Sequence, residues 1–584
     1  MGRLRNGVGV GISNIPTLSS RRAFSPLSLF ADGSQGVWYD DSLTSSMFQN
    51  SDGTTAAVLE SPVGLQLDLS RNLTLGSNIV TPAANSTFTS DTGFWTKDTG
   101  VTISGGSANW TATAATYQLY KTGQLTVGKY YEATFTIFSI TSGGLRCNIG
   151  GNLGTVRTTA GTYTERLVAG SGTMAITSSG ASTTASVTLV SFFEVTGTHR
   201  SQATSANRPT LSARYNLLTK TEQFDNAAWT KVGLTVDATL YTAPNGTLTA
   251  NKIYATIVST NHYLYQSFSL TSGVSYAATI NGKIGEYRYL YLQTYNGSAF
   301  AASIVDLQTG LVTQTGSGHT ITSVAVDNGF YYVKIVFTAA ATGTGYFYAG
   351  PSDVSTAPTA YSWIGDPAKG IYIWGADFRP TNQTVTLPTY QRVDTSSVYD
   401  TVGFPQYIKY NGSNSSLSTA GINFTATAQV TAFAGARLLT NTGEGMLLEF
   451  GNLSATNGSF TLGNSYLSRY YFGVKNVGVA QIYALTYTAP ITNTLSAVYD
   501  LTATTIPTQV IPKTNGTTPA SLTNSGLPTS LGNFGNLNLY CGARAGTSLF
   551  FNGYEFQTII VGKTLTATEI ANTETYVNSK TLAY

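Results

Sequence analysis

A ten-residue motif occurs twice in the chain and constrains its fold more than any other feature. Leu125–Thr134 reads LTVGKYYEAT, and Leu270–Thr279 reads LTSGVSYAAT. Both copies follow the frame L-T-x-G-x-x-Y-x-A-T, and each lies downstream of the tripeptide Trp-Thr-Lys, at residues 95–97 and 229–231. Two shared motifs in the same order indicate a duplicated module. Because each motif sets β-branched and aromatic residues around a glycine turn, the module is predicted to be a β structure.

The composition favours a protein built from many short strands. Charged residues make up 10% of the 584 residues, against about 25% in an average soluble domain. The hydrophobic share of 42% excludes a disordered chain, and no apolar run approaches the roughly 18 residues that a membrane helix needs. A net charge of +3 is too small to indicate nucleic-acid binding. We therefore expect an all-β protein with no nucleic-acid partner and no membrane insertion.

The order of motifs divides the chain into five parts. An N-terminal arm with a docking segment precedes a first β-sandwich, a polar linker, a second and fuller β-sandwich, and a C-terminal β-sandwich with one short helix. The predicted boundaries are residues 1–74, 75–200, 201–216, 217–395 and 396–584. The sandwiches are predicted to be antiparallel jelly rolls in tandem. The helix is predicted after Thr566, where T-A-T-E forms a capping box before an apolar stripe.

The segment before the first repeat carries a resemblance to a known class of proteins. Gly36–Asp40 reads GVWYD, and Pro62–Leu65 reads PVGL. With the residues around them, these motifs resemble a segment found in surface proteins of tailed bacteriophages, such as tail fibres and head spikes. The resemblance implies that the N-terminal region docks on the virion. Trp38 and Tyr39 are the predicted anchors of this region.

A basic cluster lies further upstream, at Arg3, Arg5, Arg21 and Arg22. It is interpreted either as a solvated arm or as a docking arm that binds an acidic partner by charge complementarity. In the second interpretation, these four arginines join the two aromatic anchors as the virion-docking residues.

Two later stretches carry further resemblances. FDNAAWTK at residues 224–231 and GIYIWGAD at 370–377 resemble parts of carbohydrate-binding-like jelly rolls in phage fibres and spikes. FPQYIKYNG at residues 404–412 resembles the opening of laminin-G or concanavalin-like modules. These resemblances imply glycan binding. Lectin-like members often use calcium, but Asn414 and Ser415 follow the first turn where an acidic residue would be needed, so we predict no metal site.

The most informative stretch of the second module is EYRYLYLQTY at residues 286–295. Since strand side chains alternate between faces, one face carries the tyrosines with Gln293, and the other carries Leu290 and Leu292. Leucine is expected to face the core. Tyrosine offers an apolar ring to sugar C–H groups and a hydroxyl for hydrogen bonds. A glycan platform, a subunit contact and core packing are all compatible with this pattern.

The glycan platform adds two tryptophans from the resembling motifs to the tyrosines. The predicted glycan-binding residues are Tyr287, Tyr289, Tyr291, Tyr295, Trp229 and Trp374.

The sequence shows no constellation typical of an enzyme. It has no G-x-S-x-G, C-x-x-C or H-E-x-x-H motif, and its three scattered histidines argue against a catalytic triad. A glycosidase needs two carboxylates about 5–9.5 Å apart, and the sequence leaves such a pair open among its 28 acidic residues. We expect no enzyme and no cofactor. Cys147 and Cys541 are expected to be buried free thiols.

These observations lead to one principal hypothesis and two alternatives. The principal hypothesis is a phage virion structural protein of a fibre or spike, exposed on the particle, that binds host-surface polysaccharide. Its partners would be other virion proteins, and a homotrimer would multiply weak sugar contacts by avidity. The first alternative is a capsid decoration or head-fibre protein without a receptor role. The second is a polysaccharide depolymerase.

Overall fold

The computed structural model describes residues 24–381, 390–440, 443–466 and 468–584. Their regular structure is almost entirely antiparallel β-sheet, arranged around three large apolar cores. The predicted all-β fold of β-sandwich modules is confirmed. None of the described helices combines the length and the apolar composition that a membrane span requires.

The largest module, the central sandwich, consists of a seven-stranded and a ten-stranded sheet that enclose one core. The seven-stranded sheet contains Gly36–Asp40, Thr210–Ser212, Tyr407–Asn411, Gln429–Leu438, Ile491–Asp500, Val510–Thr514 and Asn552–Val561. The ten-stranded sheet contains Met47–Phe48, Leu65–Gln66, Arg200–Ser201, Leu417–Asn423, Leu448–Phe450, Ser459–Tyr466, Arg469–Lys475, Val479–Thr486, Leu522–Gly526 and Asn536–Cys541.

Three separate parts of the chain build the central sandwich. Strand Gly36–Asp40 pairs with Asn552–Val561, and strand Arg200–Ser201 pairs with Leu417–Asn423. From residue 24 onward, the chain therefore begins in this module, leaves it, returns briefly, leaves again and ends in it. The other two modules are insertions into the central sandwich.

This arrangement differs from the predicted row of modules. The prediction treated residues 1–74 as a docking region and 201–216 as a linker, yet strands from both segments belong to the central sandwich. These strands have two to five residues each, too short to show alternation. Most of their pairing partners lie far away in the sequence, so no local pattern reveals them.

The first inserted module has one large sheet of eight strands around its own core. Two long strands, Tyr130–Ile149 and Met174–Glu194, pair with each other through several register shifts and form its centre. The remaining strands are Thr96–Lys97, Val101–Ser104, Ser107–Thr113, Gln118–Lys121, Asn152–Leu153 and Gly161–Val168. The free thiol of Cys147 is buried here, and that of Cys541 is buried in the central sandwich, as predicted.

The second inserted module consists of two six-stranded sheets that pack face to face. The first, the tyrosine sheet, has the order Thr230–Val232, Tyr263–Leu270, Gly343–Ser352, Tyr289–Tyr295, Phe300–Asp306 and Val312–Gln314. The second has the order Leu234–Thr242, Leu248–Ala255, Gly370–Pro380, Ser275–Lys283, Tyr331–Thr338 and Thr320–Ala325. A separate ribbon pairs Val393–Thr395 with Val398–Tyr399.

The repeated motif adopts the same local structure in both inserted modules. The Tyr131 hydroxyl accepts a hydrogen bond from the Thr126 backbone nitrogen at 2.9 Å, and the Tyr276 hydroxyl accepts one from Thr271 at 3.0 Å. The motif glycine has φ +83° in the first copy and +78° in the second, a conformation that favours glycine. The motif is therefore a strand entry, in which the tyrosine closes a turn that the glycine makes possible.

The C-terminal helix Ala567–Thr581 begins as predicted. The Thr566 hydroxyl accepts from the Glu569 backbone nitrogen at 3.2 Å, and the Glu569 carboxylate accepts from the Thr566 nitrogen at 2.8 Å. Val577 is buried against Phe433 on the outer face of the seven-stranded sheet. The shorter described helices are Pro26–Phe30, Thr44–Ser46, Ala83–Thr87, Ser205–Asn207, Asp327–Gly329 and Ile506–Gln509.

A buried ionic cluster joins the three chain segments of the central sandwich. Arg200, which is 0% exposed, donates to Glu555 at 2.6 Å, to Asp41 at 3.1 Å and to Gln66 at 2.6 and 2.9 Å. The Tyr410 hydroxyl donates to the second Glu555 oxygen at 2.9 Å. A buried charge is tolerated only when it is paired and hydrogen-bonded. The cluster therefore requires all three segments to be present together.

The predicted docking residues have mixed placements. Tyr39 is 0% exposed, and its ring lies 4.5 Å from the Arg200 guanidinium, inside the central sandwich. Trp38 is half-buried, with its ring 6.1 Å from that of Tyr576. Both side chains anchor the N-terminal strand to its own module, and Tyr39 is closed to any partner. The four predicted arginines, Arg3, Arg5, Arg21 and Arg22, lie outside the described residues.

Replacing Arg200 by methionine is expected to destabilise the protein by about 3–5 kcal/mol, because Asp41 and Glu555 would stay buried without their cation. Urea unfolding monitored by tryptophan fluorescence measures this change. Arg392→Met is the matched control: Arg392 and Asp400 form a pair with side chains 42% and 48% exposed, and such pairs contribute about 0–1 kcal/mol. Equal unfolding midpoints for the two variants would contradict the role assigned to the cluster.

Candidate functional site

The predicted alternation holds along the central part of the tyrosine stretch. Leu290 and Leu292 are 0% and 1% exposed and belong to the core between the two sheets. Tyr289, Tyr291 and Tyr295 therefore lie on the outer face of the tyrosine sheet. This face is the candidate functional site, because it carries a cluster of aromatic side chains from several neighbouring strands.

Cross-strand pairing extends the face over four strands. Tyr265 is paired with Tyr348, and Tyr295 is paired with Tyr346 on one side and Phe300 on the other. The ring centroids of these pairs are 4.8, 6.0 and 4.6 Å apart, within the range of favourable aromatic contacts. The aromatic face is defined by six neighbouring rings, Tyr263, Tyr265, Tyr295, Phe300, Tyr346 and Tyr348.

The aromatic face is open to solvent. Phe300 is 46% exposed, and four of the tyrosines are half-buried, while Tyr348 is 7% exposed between them. The rings are thus fixed by contact with each other, and five of the six keep one side accessible. They run across the strands, whereas the sequence predicted a ladder along a single strand.

A strap at residues 353–363 covers the other end of the sheet. Ala357 and Tyr361 pack against Tyr289 and Tyr291. The Tyr291 hydroxyl also lies 3.3 and 3.4 Å from backbone carbonyl oxygens of the strap. The strap therefore covers two of the predicted glycan-binding residues, Tyr289 and Tyr291, and Tyr291 is only 5% exposed.

Gln293 lies at the floor of the aromatic face. It is 4% exposed and is paired with Tyr348 on one side and Ala302 on the other. Its Oε1 accepts a hydrogen bond from the Tyr291 hydroxyl. None of the described residues accepts a hydrogen bond from its Nε2. This nitrogen is not among the fully buried unpaired atoms, so it remains open to solvent. The Gln293 side chain therefore presents a hydrogen-bond donor at the floor of the aromatic face.

Three predicted glycan-binding residues lie away from the aromatic face. Trp229 is 1% exposed in the core of the second module, and Trp374 is 6% exposed on the other sheet, where its indole nitrogen donates to Thr249 at 2.8 Å. Tyr287 precedes the strand and packs against Trp363 at 5.1 Å. All three pack within the module and contribute no ring to the aromatic face.

The aromatic face includes five residues that sequence reasoning did not select, which are Tyr263, Tyr265, Phe300, Tyr346 and Tyr348. A signal for four of them is present in the sequence. Tyr263-Leu264-Tyr265 and Tyr346-Phe347-Tyr348 repeat the tyrosine alternation with an apolar residue between. Their assembly on one face depends on strand order, which the sequence does not reveal.

The protonation states around the face are set by burial and by one ion pair. Burial raises the pKa of Tyr291 and of Tyr348, so both hydroxyls stay neutral across the physiological range. The Arg288 side chain lowers the pKa of Asp306 by donating two hydrogen bonds to it, at 2.8 and 2.5 Å. Across the described residues, no group of three or more His, Cys, Asp or Glu side chains could hold a metal ion.

Comparisons with known proteins give remote structural likenesses. No protein-family model and no curated protein matches the chain. The binding domain of botulinum neurotoxin serotype G aligns at TM-score 0.24 and 11% identity, over 33% of this chain and 46% of that one, less than half its length. The tandem CBM22 domains of Xyn10C from Paenibacillus barcinonensis align at 0.20 and 10%, over 52% and 98%. A sialidase of Trypanosoma rangeli aligns at 0.20 and 10%, over 57% and 62%. None of these likenesses supports an inference about what the chain binds.

His319 is expected to make the stability of the second module depend on pH. Burial lowers the pKa of His319 to about 4, and its ring nitrogens lie 2.8 Å from the Thr294 and Ser303 hydroxyls. Because the folded pKa is below the unfolded value of about 6.5, this contribution is full above pH about 6.5. It is lost as the pH falls towards about 4, by at most roughly 3 kcal/mol.

The measurement is the unfolding free energy of wild type minus that of His319→Gln between pH about 7 and about 4. The difference isolates His319 from the carboxylates and from His199, whose pKa burial also lowers to about 4. A difference that stays constant over this range would contradict the prediction.

Proposed function

We propose that the protein is a bacteriophage virion surface protein of the fibre or spike type, and that it binds host-surface glycan through the aromatic face of its second module. The glycan part of the proposal is carried by one observation. Six neighbouring rings cover an outer sheet face, and five of them keep one side open to solvent. The virion part is supported by the sequence resemblance of the N-terminal segment and of the module openings.

Aromatic side chains in this arrangement suit a sugar ligand. Their rings offer apolar surface to the C–H groups of a pyranose, and their hydroxyls reach its oxygen atoms. The rings touch each other, which fixes their orientation before a ligand arrives and reduces the entropy lost on binding. Four strands at about 4.8 Å spacing span about 14 Å, enough for two or more sugar units.

Each face makes few contacts, so a single copy is expected to bind weakly. A homotrimer would present three faces and raise the apparent affinity by avidity. The proposed role is binding without catalysis, and the proposed location is the particle surface. The aromatic face would contact host polysaccharide during adsorption, while another part of the chain would contact other virion proteins.

Replacing Tyr265, Tyr346 and Phe300 together by alanine is expected to weaken glycan binding at least about 30-fold, as expected when the principal anchors of a contact surface are truncated. The measurement is binding to a glycan array, followed by titration with the best glycan. Phe138→Ala is the matched control, because Phe138 is 72% exposed on the first module. Circular dichroism and sedimentation check the fold and the oligomeric state.

The outcomes separate a glycan site from a subunit contact. Loss of binding with an unchanged oligomeric state supports the proposal. If the triple variant instead dissociates the oligomer, and wild type binds no glycan on the array, the aromatic face is a subunit interface and the proposed glycan site is wrong.

Immunogold electron microscopy with antibody to residues 396–584 tests the proposed location. Label confined to a tail, a fibre or vertex spikes is expected for a host-binding protein. Label spread over the capsid shell would favour the decoration role, and particles without label would contradict a virion location.

A further inference from the structure

We infer that the ligand of the aromatic face is an uncharged glycan, and that Gln293 selects it by donating a hydrogen bond from the floor of the face to one of its oxygen atoms. This inference rests on the proposed function and goes further by naming the ligand class and a specificity-determining residue. It is carried by the distribution of charge on the tyrosine sheet and by the unpaired amide nitrogen of Gln293.

The tyrosine sheet is almost free of charge. Its six strands contain two charged residues, Lys231 and Asp306. The Lys231 ammonium donates to the backbone carbonyls of Asp225, Asn226 and Trp229, at 2.6, 2.8 and 3.2 Å. It is therefore held in a loop by its own module.

The second charge, the Asp306 carboxylate, is neutralised by an ion pair with Arg288. Asp306 receives two hydrogen bonds from Arg288 in a bidentate pair. This pair lies beside Tyr289, at the end of the sheet that the strap covers. Neither charge is thus available next to the aromatic face.

An anionic glycan needs a cation at its binding site. Carboxylate, sulfate and phosphate groups are bound by arginine or lysine, whose charge-assisted hydrogen bonds compensate the desolvation of the anion. The strands that carry the aromatic face supply no free cation of this kind. An acidic polymer bound across the rings would lose the hydration free energy of its charged groups without compensation. The hydroxyl and acetamido groups of a neutral polymer would lose much less hydration free energy.

Gln293 supplies the polar contact that the rings leave open. The Tyr291 hydroxyl donates to its Oε1, and its Nε2 remains as the free donor of the amide. The residue is 4% exposed, so its side chain is held in place by packing. This nitrogen is not fully enclosed, so a ligand oxygen can accept its hydrogen bond in place of water. A site built in this way rejects ligands that lack an acceptor at that position.

The first test is affinity electrophoresis of the full chain in gels that contain one polysaccharide each. The neutral probes are dextran, mannan, pullulan and galactomannan, and the anionic probes are alginate, hyaluronan and polygalacturonate. We expect retardation by at least one neutral polymer and by none of the anionic ones. The retardation should not change between about 50 and about 500 mM NaCl, because no charge pair contributes to it.

The possible results separate this inference from the proposed function. Retardation only by anionic polymers, reduced by salt and lost in the aromatic triple variant, would overturn the uncharged class and retain the glycan site. The absence of retardation by every polymer would overturn both.

The second test replaces Gln293. Gln293→Glu keeps the acceptor for Tyr291 but removes the donor and adds a negative charge, so binding to the retarding polymer is expected to weaken about tenfold. Gln293→Met removes the donor without adding charge and is expected to weaken binding by a similar factor. Gln308→Glu is the control, with the same change at an exposed position outside the aromatic face. Unchanged binding by a folded Gln293→Met variant would overturn the role of Gln293.

Discussion

The arrangement of the modules depends on the buried ion pairs of the Arg200 guanidinium. It binds Asp41 from the start of the chain and Glu555 from its end, and it belongs to the strand between the two insertions. A cation in an apolar core is stable only if its partners are present and aligned. The cluster therefore holds the first and the last segment of the central sandwich to the strand that connects the two insertions.

The aromatic face depends on a second constraint, the pairing of four strands in one register. Tyr295, Tyr346 and Phe300 are neighbours because their strands are hydrogen-bonded side by side. A shift of one residue in any strand would move its aromatic side chains into the core. The apolar residues between the tyrosines, such as Leu292 and Phe347, prevent that shift by filling the core between the sheets. Core packing thus fixes the geometry of the surface that we propose as a binding site.

Local patterns predicted the parts of this structure that neighbouring residues decide. The capping box at Thr566, the shared strand entry at Tyr131 and Tyr276, and the inward leucines of the tyrosine stretch follow from short sequence motifs. The predicted tryptophans lie in packed positions for a physical reason. Trp229 has a large apolar ring at the entry to a strand. Burying this ring in the core lowers the free energy more than exposing it to a ligand at the surface would.

The sequence by itself determined the all-β class, the duplicated strand entry and the face of the strand on which the tyrosines lie, because each depends on residues within about ten positions of one another. Only the tertiary structure decided that the N-terminal strands complete the central sandwich and that a strap covers Tyr289 and Tyr291. It also decided that five further aromatic side chains join Tyr295 and Gln293 on one face. These features depend on contacts between strands and loops distant in sequence. Strand order and loop placement are settled by the burial of whole sheets, a property of the assembled chain that no short segment carries.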